Sequence, residues 1–146
     1  MAEAQPAGAP AFERLVLFDG VCVFCDRTVR WLMERDPAGR LRYAPLQGET
    51  AAALRRRHPE IPDDTDTLVY VEVEGGEERV YLRSAAVFRA CAQLSPRPGW
   101  LRAATWLPTP LVDLGYRVFV AFRYRLFGRF DACRVPSADE RERFLA

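Results

Sequence analysis

Leu15-Val16-Leu17-Phe18 is a short unbroken apolar run closed by Asp19-Gly20, the pattern of a buried strand stopped by a turn. From Cys22 to Arg35 the period becomes helical. Cys25, Val29, Leu32 and Met33 share one face, while Arg27, Arg30 and Glu34 share the other. Asp36-Pro37 and Gly39 end that helix, and Leu41–Leu46 reads as a second strand with Pro45 near its end. A short helix is predicted over Glu49–Arg57, followed by an acidic, Pro-containing loop, Pro59–Asp66. Thr67–Val73 is strongly β-forming, and Glu74-Gly75-Gly76-Glu77 turns it into a partner strand, Arg79–Leu82. Ser84 reads as the N-cap of a helix through Leu94, with Val87, Phe88, Cys91 and Leu94 on its apolar face. After a break at Ser95–Gly99, a short helix is expected over Trp100–Leu107. A longer one is opened by Pro108 and Pro110, runs to Phe127 and ends at Gly128.

The predicted order is β-α-β-α-β-β-α followed by further helices. A compact strand–helix–strand unit implies a right-handed parallel crossover. The remaining two strands form a hairpin. This is the order of an α/β thioredoxin-like fold with additional C-terminal helices. The chain of 146 residues fits one domain. Residues 1–12 read as a disordered Ala/Pro-rich tail, 13–136 as the domain, with the helices of 99–128 included, and 137–146 as a polar tail holding at most a helical turn. Trp100, Trp106, Leu107, Leu111, Leu114, Val118, Phe119 and Phe122 are expected to pack the late helices onto the domain, and Arg117, Arg123 and Arg125 to face water.

Composition narrows the chemistry. Hydrophobic residues make up 49% of the chain, enough for a core without disulfides or metals. The net charge is +1, from 21 basic and 20 acidic residues, so nothing argues for a nucleic-acid surface. Every basic residue is Arg; a lysine nucleophile or Schiff base is excluded. No stretch of ~18 uncharged apolar residues is present, so no membrane span is expected. No secretory signal is read at the N-terminus, and the expected compartment is the cytoplasm. Thiols there are kept reduced, which favours a catalytic or metal-binding role for a Cys pair over a structural one.

Such a pair stands in Asp19-x-x-Cys22-x-x-Cys25, between the first strand and the first helix. The i, i+3 spacing at a helix start puts both sulfurs on one side. Free backbone N–H groups and the helix dipole favour a thiolate on the first of them. Cys22 is therefore assigned as the exposed nucleophile and Cys25, one turn inward and less exposed, as the resolving thiol. Asp19 has two readings: acceptor of the Cys25 proton, or cap of the helix or turn. Asp26 reads as an exposed first-turn acid paired with Arg30, and Arg27 and Arg30 as a solvated face. A zinc site would need Cys91, Cys133 or His58 as further ligands. Cys91 lies on an apolar face and His58 reads as exposed, so no metal and no cofactor are expected. Cys133 reads as a structural cysteine rather than a third redox thiol. The Leu-Val-Leu-Phe-Asp-Gly strand is also similar to that of haloacid-dehalogenase-type phosphatases. Val21 stands where those need a second Asp, and no lysine is available for phosphate.

Asp19-Gly20-x-Cys22-x-x-Cys25 after an apolar strand resembles the DCC family of thiol–disulfide oxidoreductases. Tyr43-Ala44-Pro45-Leu46, Val80-Tyr81-Leu82-Arg83-Ser84-x-Ala86, and Tyr116 followed by Arg123-Tyr124-Arg125-Leu126-Phe127-Gly128 and Cys133 extend the likeness over roughly Leu15 to Pro136. The resemblance implies a thioredoxin-like fold and oxidoreductase activity, with no substrate attached. Two departures stand out. Thr65-Asp66-Thr67 occupies the place of the cis-proline of thioredoxins, and trans geometry is expected there. Phe122 stands where a polar residue is expected before Arg123-Tyr124. The expected partner is a protein or small-molecule disulfide or thiol. A non-catalytic thioredoxin-fold interaction module and a zinc-binding domain are the alternatives.

Overall fold

A computed structural model describes residues 12–63, 67–94, 98–104, 106–128 and 141–145. Its elements follow the predicted order. They are β1 (Arg14–Phe18), α1 (Val23–Glu34), β2 (Arg42–Pro45), α2 (Glu49–Arg57), β3 (Val69–Glu74), β4 (Glu77–Leu82), α3 (Arg83–Cys91), α4 (Trp100–Ala104) and α5 (Thr109–Phe127). A single 3₁₀ turn, Arg141–Arg143, lies near the chain end.

The four strands form one sheet in the order β2-β1-β3-β4. β1 pairs in parallel with β2, as the helical crossover through α1 requires, and Leu15 faces Arg42 in that register. β3 runs antiparallel to both β1 and β4. This is the expected mixed thioredoxin-like sheet. β1 reads as a continuous apolar run because both of its faces are covered. Val16 and Phe18 join Val29 and Leu32 of α1 and Ala86, Ala90 and Cys91 of α3 on one side. Leu15 and Leu17 join Ala51 and Leu54 of α2 on the other.

The chain ends hold more structure than the sequence indicates. Phe12, the last residue of the segment read as a tail, is buried against Leu15 and Leu17 in the second core. Near the C-terminus Leu145 N–H donates to Tyr43 C=O at 2.8 Å, and the Phe144 ring packs on Phe18 and Tyr43. These contacts cover the open edge of β2.

Two local expectations are corrected. Ser84 does not cap α3. The N-cap is Leu82, and Ser84 is buried one residue inside the helix, its hydroxyl donating to the Asp113 carboxylate of α5. The chain turns directly from β4 into α3 through Arg83, whose φ of +56° is a left-handed conformation costing about 1–2 kcal/mol in a residue with a Cβ. Arg83 N–H is satisfied by Leu68 C=O at 3.0 Å.

The second correction concerns α5. It docks through Val112, Tyr116, Phe119 and Arg123, spaced i, i+4, i+7 and i+11, all at least partly buried. Of the residues expected to pack, Trp100, Trp106, Leu107, Leu111, Leu114, Val118 and Phe122 are exposed. Arg123, expected in water, is buried. The helix is apolar on two sides, and periodicity alone cannot say which side meets the domain. Phe122, in the place of an expected polar residue, is on the outer side.

Candidate active site

The first turn of α1 is built around sulfur. Cys22 is the N-cap residue, in extended geometry (φ −82°, ψ 122°), and its Sγ accepts the Cys25 N–H at 3.4 Å. Sulfur thus fills the role that Ser or Asp oxygen plays at most N-caps. Cys22 N–H donates in turn to Asp19 C=O at 3.3 Å. The cap geometry folds the Cys22 side chain back over the helix start and leaves it 0% exposed, while Cys25 is half-buried. This reverses the exposures expected for the two. Both are free thiols.

The two sulfurs divide one proton unequally. The Cys25 thiol donates to Cys22, and this hydrogen bond outweighs desolvation. With the Cys25 N–H and the charge of Arg123, it brings Cys22 down to about 6. Cys25 is pushed far up, first by that same shared proton, then by burial and by the charge on Cys22. Cys22 therefore carries the negative charge near neutral pH, in line with its helix N-terminal position.

Asp19 sits beneath the pair. Its Oδ1 accepts the Val21 N–H at 3.1 Å and the Gln47 amide at 2.7 Å. Its Oδ2 accepts Arg123 Nη2 at 2.8 Å and the Tyr124 hydroxyl. Four donors occupy the roughly four lone-pair directions of a carboxylate. Asp19 therefore closes the turn after β1, as one of its two readings holds. It does not cap α1, because Cys22 does.

Arg123 links this carboxylate to the thiols. Its Nη1 lies 3.8 Å from Cys25 Sγ, while Nη2 reaches Asp19 and also the Tyr124 hydroxyl at 3.0 Å. Burial opposes its charge, but the surrounding Cys25, Tyr124, Asp19 and Cys22 more than offset it, and the guanidinium stays ionised. Gln47 ties the β2–α2 loop to the same point by accepting the Gly20 N–H at 3.0 Å.

The two residues between the cysteines dock α5. Phe24 packs edge-on against Phe119, with centroids 4.6 Å apart, and tilted against Phe127 at 4.8 Å. Val23 N–H, one of the first-turn donors of α1, reaches Gly128 C=O at 3.5 Å. Gly128 turns the chain at φ +89° to present that carbonyl, a conformation that a Cβ strongly disfavours. On the other flank, Leu68 donates to Tyr116 O at 2.9 Å and accepts from Arg83 N–H. Both backbone groups of Leu68 are thus used internally. Thr65, Asp66 and Cys133, singled out in the sequence, lie outside the described residues.

The other candidates lie away from this chemistry. Asp26 pairs with Arg30 at 3.1 Å as expected, but it is buried rather than exposed. Arg27 is exposed. His58, expected to be exposed, is partly buried, with ring nitrogens 2.6 Å from Glu78 Oε2 and 3.2 Å from Glu60 Oε1. Cys91 is in the core, its thiol raised to about 11 by burial. Among the described residues no group of three or more His, Cys, Asp or Glu gathers in a metal-binding cluster, and no helix is long and apolar enough to cross a membrane.

Sequence reasoning missed four contributors: Gln47, Tyr116, Arg123 and Tyr124. A signal for three of them was present. Tyr116 and Arg123-Tyr124 belong to the late motif that resembles the DCC pattern yet has no redox-type residues of its own, which points to a role at the site formed elsewhere in the chain. Gln47 carries no such mark.

The chain is 32% identical over 134 residues to the "Uncharacterized protein YuxK" of Bacillus subtilis (strain 168), covering 90% of this chain and 93% of that protein. It is 31% identical over 122 residues to the "DCC family protein At1g52590, chloroplastic" of Arabidopsis thaliana, covering 83% and 69%. No solved structure matches the chain significantly. The family model for DCC1-like thiol-disulfide oxidoreductase matches residues 16–129, a span that includes Cys22, Cys25, Gln47 and the Arg123-Tyr124 pair, and the chain belongs to that family.

Proposed function

We propose that the protein exchanges disulfides through Cys22 and Cys25, with Arg123 as the group that stabilises charge on Cys25. The observation that carries this reading is the guanidinium placed 3.8 Å from Cys25 Sγ and anchored on Asp19. In the reducing direction, the Cys22 thiolate attacks one sulfur of a substrate disulfide. A Cys22–substrate disulfide forms, and the other substrate sulfur leaves as a thiolate that takes a proton from water. Cys25 then gives up its proton to solvent, and its thiolate attacks Cys22 Sγ. The Cys22–Cys25 disulfide forms, and the second substrate thiol departs. The substrate gains two electrons and the pair loses two. An external thiol returns the pair to the dithiol, and the same steps reversed oxidise a substrate dithiol.

Cys25 loses its hydrogen-bond acceptor once Cys22 is bonded to substrate, so the largest cause of its raised pKa and the neighbouring Cys22 charge both disappear at that step, while its burial remains. Arg123 then faces the sulfur that must ionise. Asp19, with its four donors, is a positioning residue that holds Arg123 and the β1–α1 turn. Accepting the Cys25 proton would require it to release one of those donors first. Tyr124 supports the same carboxylate. The substrate class is a protein or small-molecule disulfide. Burial of Cys22 favours small or flexible disulfides over rigid ones.

Oxidised glutathione serves as the probe. A reduced Cys25→Ser variant should accumulate a glutathione adduct on Cys22, read by peptide mass spectrometry. The unaltered protein should pass through it to the Cys22–Cys25 disulfide with two glutathione thiols released. An adduct on Cys91 in place of Cys22, or no reaction, overturns the proposal. The full burial of Cys22 also favours a second reading, a non-catalytic thioredoxin-fold interaction module that keeps a Cys pair. That reading predicts oxidation of the pair without repeated turnover when a reductant is supplied.

A further inference from the structure

Among the described residues none covers the outer side of α5. Leu111, Leu114, Val118, Phe122 and Leu126 recur at intervals of three and four, and form one exposed stripe beside the docking side of Val112, Tyr116, Phe119 and Arg123. Leu126 is 68% exposed, and Trp106, just before the helix, is 89% exposed. At 1.5 Å per residue the 19-residue helix is about 28 Å long, so the stripe is continuous over most of a domain's width. Contiguous apolar surface of this extent marks an interaction site.

Charge selects the occupant. Asp113 is the only acid in 98–128, and it faces inward to Ser84. Arg123 also faces inward. The charged groups that α5 turns outward are Arg117 and Arg125, both exposed, with Arg125 inside the stripe and Arg117 on its border. A second copy docked on this side would bring arginine-bearing faces together with no carboxylate from α5 to pair with them. Burying unpaired guanidinium groups in that way is costly. A surface that is apolar inside and anionic at its border accepts the stripe without that cost, because arginine stems cover apolar surface while their heads reach outward. Exposed Trp beside Leu and Phe, bordered by Arg, is the composition of a helix lying in a lipid interface.

We infer that α5 rests on an anionic lipid surface, with its stripe in the acyl–headgroup boundary and Arg117 and Arg125 on lipid phosphates. The helix lies in the plane of the surface and does not cross it, consistent with the Asp and three Arg residues along its length. The Cys pair sits under the docking side of the helix, held by Phe24 and Arg123, and not under the stripe.

The test is flotation of the full, reduced protein with two kinds of vesicle, phosphatidylcholine alone and phosphatidylcholine with a third phosphatidylglycerol. Co-flotation with the anionic vesicles, a blue shift of tryptophan emission and weakening by salt are expected. Arg117→Glu with Arg125→Glu should weaken binding at least about tenfold. Trp106→Ser with Leu114→Ser should abolish it. Each variant should keep its circular dichroism and the reaction of Cys22 with oxidised glutathione, which shows that the fold is intact. Absence of co-flotation, or equal binding to neutral vesicles, overturns the inference. So does a stable dimer in sedimentation equilibrium that Leu114→Ser disperses, which would assign the stripe to a second copy.

Discussion

Arg123 donates to Asp19 at 2.8 Å across 104 residues of sequence, with side chains only 4% and 0% exposed. A buried pair of this kind adds little net stability over an apolar substitute, but removing one partner strands the other charge without solvent. The pair therefore acts mainly as a register pin. It fixes where α5 meets the β1–α1 turn and so where a positive charge lies relative to Cys25.

Arg123→Met should lower unfolding free energy by about 3–5 kcal/mol, measured by urea denaturation. Asp19→Asn combined with Arg123→Met should recover part of that loss, because no buried charge is then left unpaired. If the double variant falls by the sum of the two single losses, the residues do not act as a pair.

Cys22 should titrate near 6 in the reduced protein, followed by the ¹³Cβ shift of the labelled cysteine. The folded value lies below the ordinary thiol value, so the thiolate is present above about pH 6 and lost as pH falls through it. Cys25→Ala removes the largest stabilising hydrogen bond and should raise the midpoint toward the ordinary ~8.5. Arg123→Met removes a positive charge and should move it in the same direction by a smaller amount. A midpoint that stays near 6 in Cys25→Ala would assign the shift to the helix terminus and Arg123 rather than to the Cys25 thiol.

Phe24→Ala should loosen α5 from the pair, since Phe24 is the ring on which both Phe119 and Phe127 pack. Aromatic pairs contribute about 0.5–1.5 kcal/mol each beyond burial, so a loss of about 2–3 kcal/mol is expected. Alkylation of Cys22 by a bulky maleimide should accelerate relative to a small reagent such as iodoacetamide. An unchanged ratio would mean that α5 does not control access.

Gly128→Ala should cost about 1–3 kcal/mol, because φ +89° with ψ 179° belongs to a region that residues with a Cβ avoid. Amide exchange of Val23 should speed up in parallel, as its acceptor is the Gly128 carbonyl. Faster exchange without lost stability would place the strain elsewhere.

The sequence by itself determined the element order, the parallel crossover and the location of the Cys pair. Those features are local. Apolar period, turn residues and an i, i+3 spacing at a helix start are written within a few residues of one another, and the β1 run is apolar because both of its faces are covered. The exposures of Cys22 and Cys25 were misread because they depend on the cap conformation, which folds the first sulfur back over the helix and leaves the second half-open. What only the tertiary structure decided is which side of α5 faces inward. That helix is apolar on two sides, so its pattern is degenerate. The choice is made by Phe24 fitting Phe119 and Phe127, by Ser84 meeting Asp113, and by the need of buried Asp19 for a cation. With that side chosen, Arg123 becomes part of the cysteine site rather than of the surface. Gln47 joins it only because the β2–α2 loop ends beside Gly20. Contacts between segments so far apart in the chain leave no period or spacing in the sequence, since they depend on how finished elements pack.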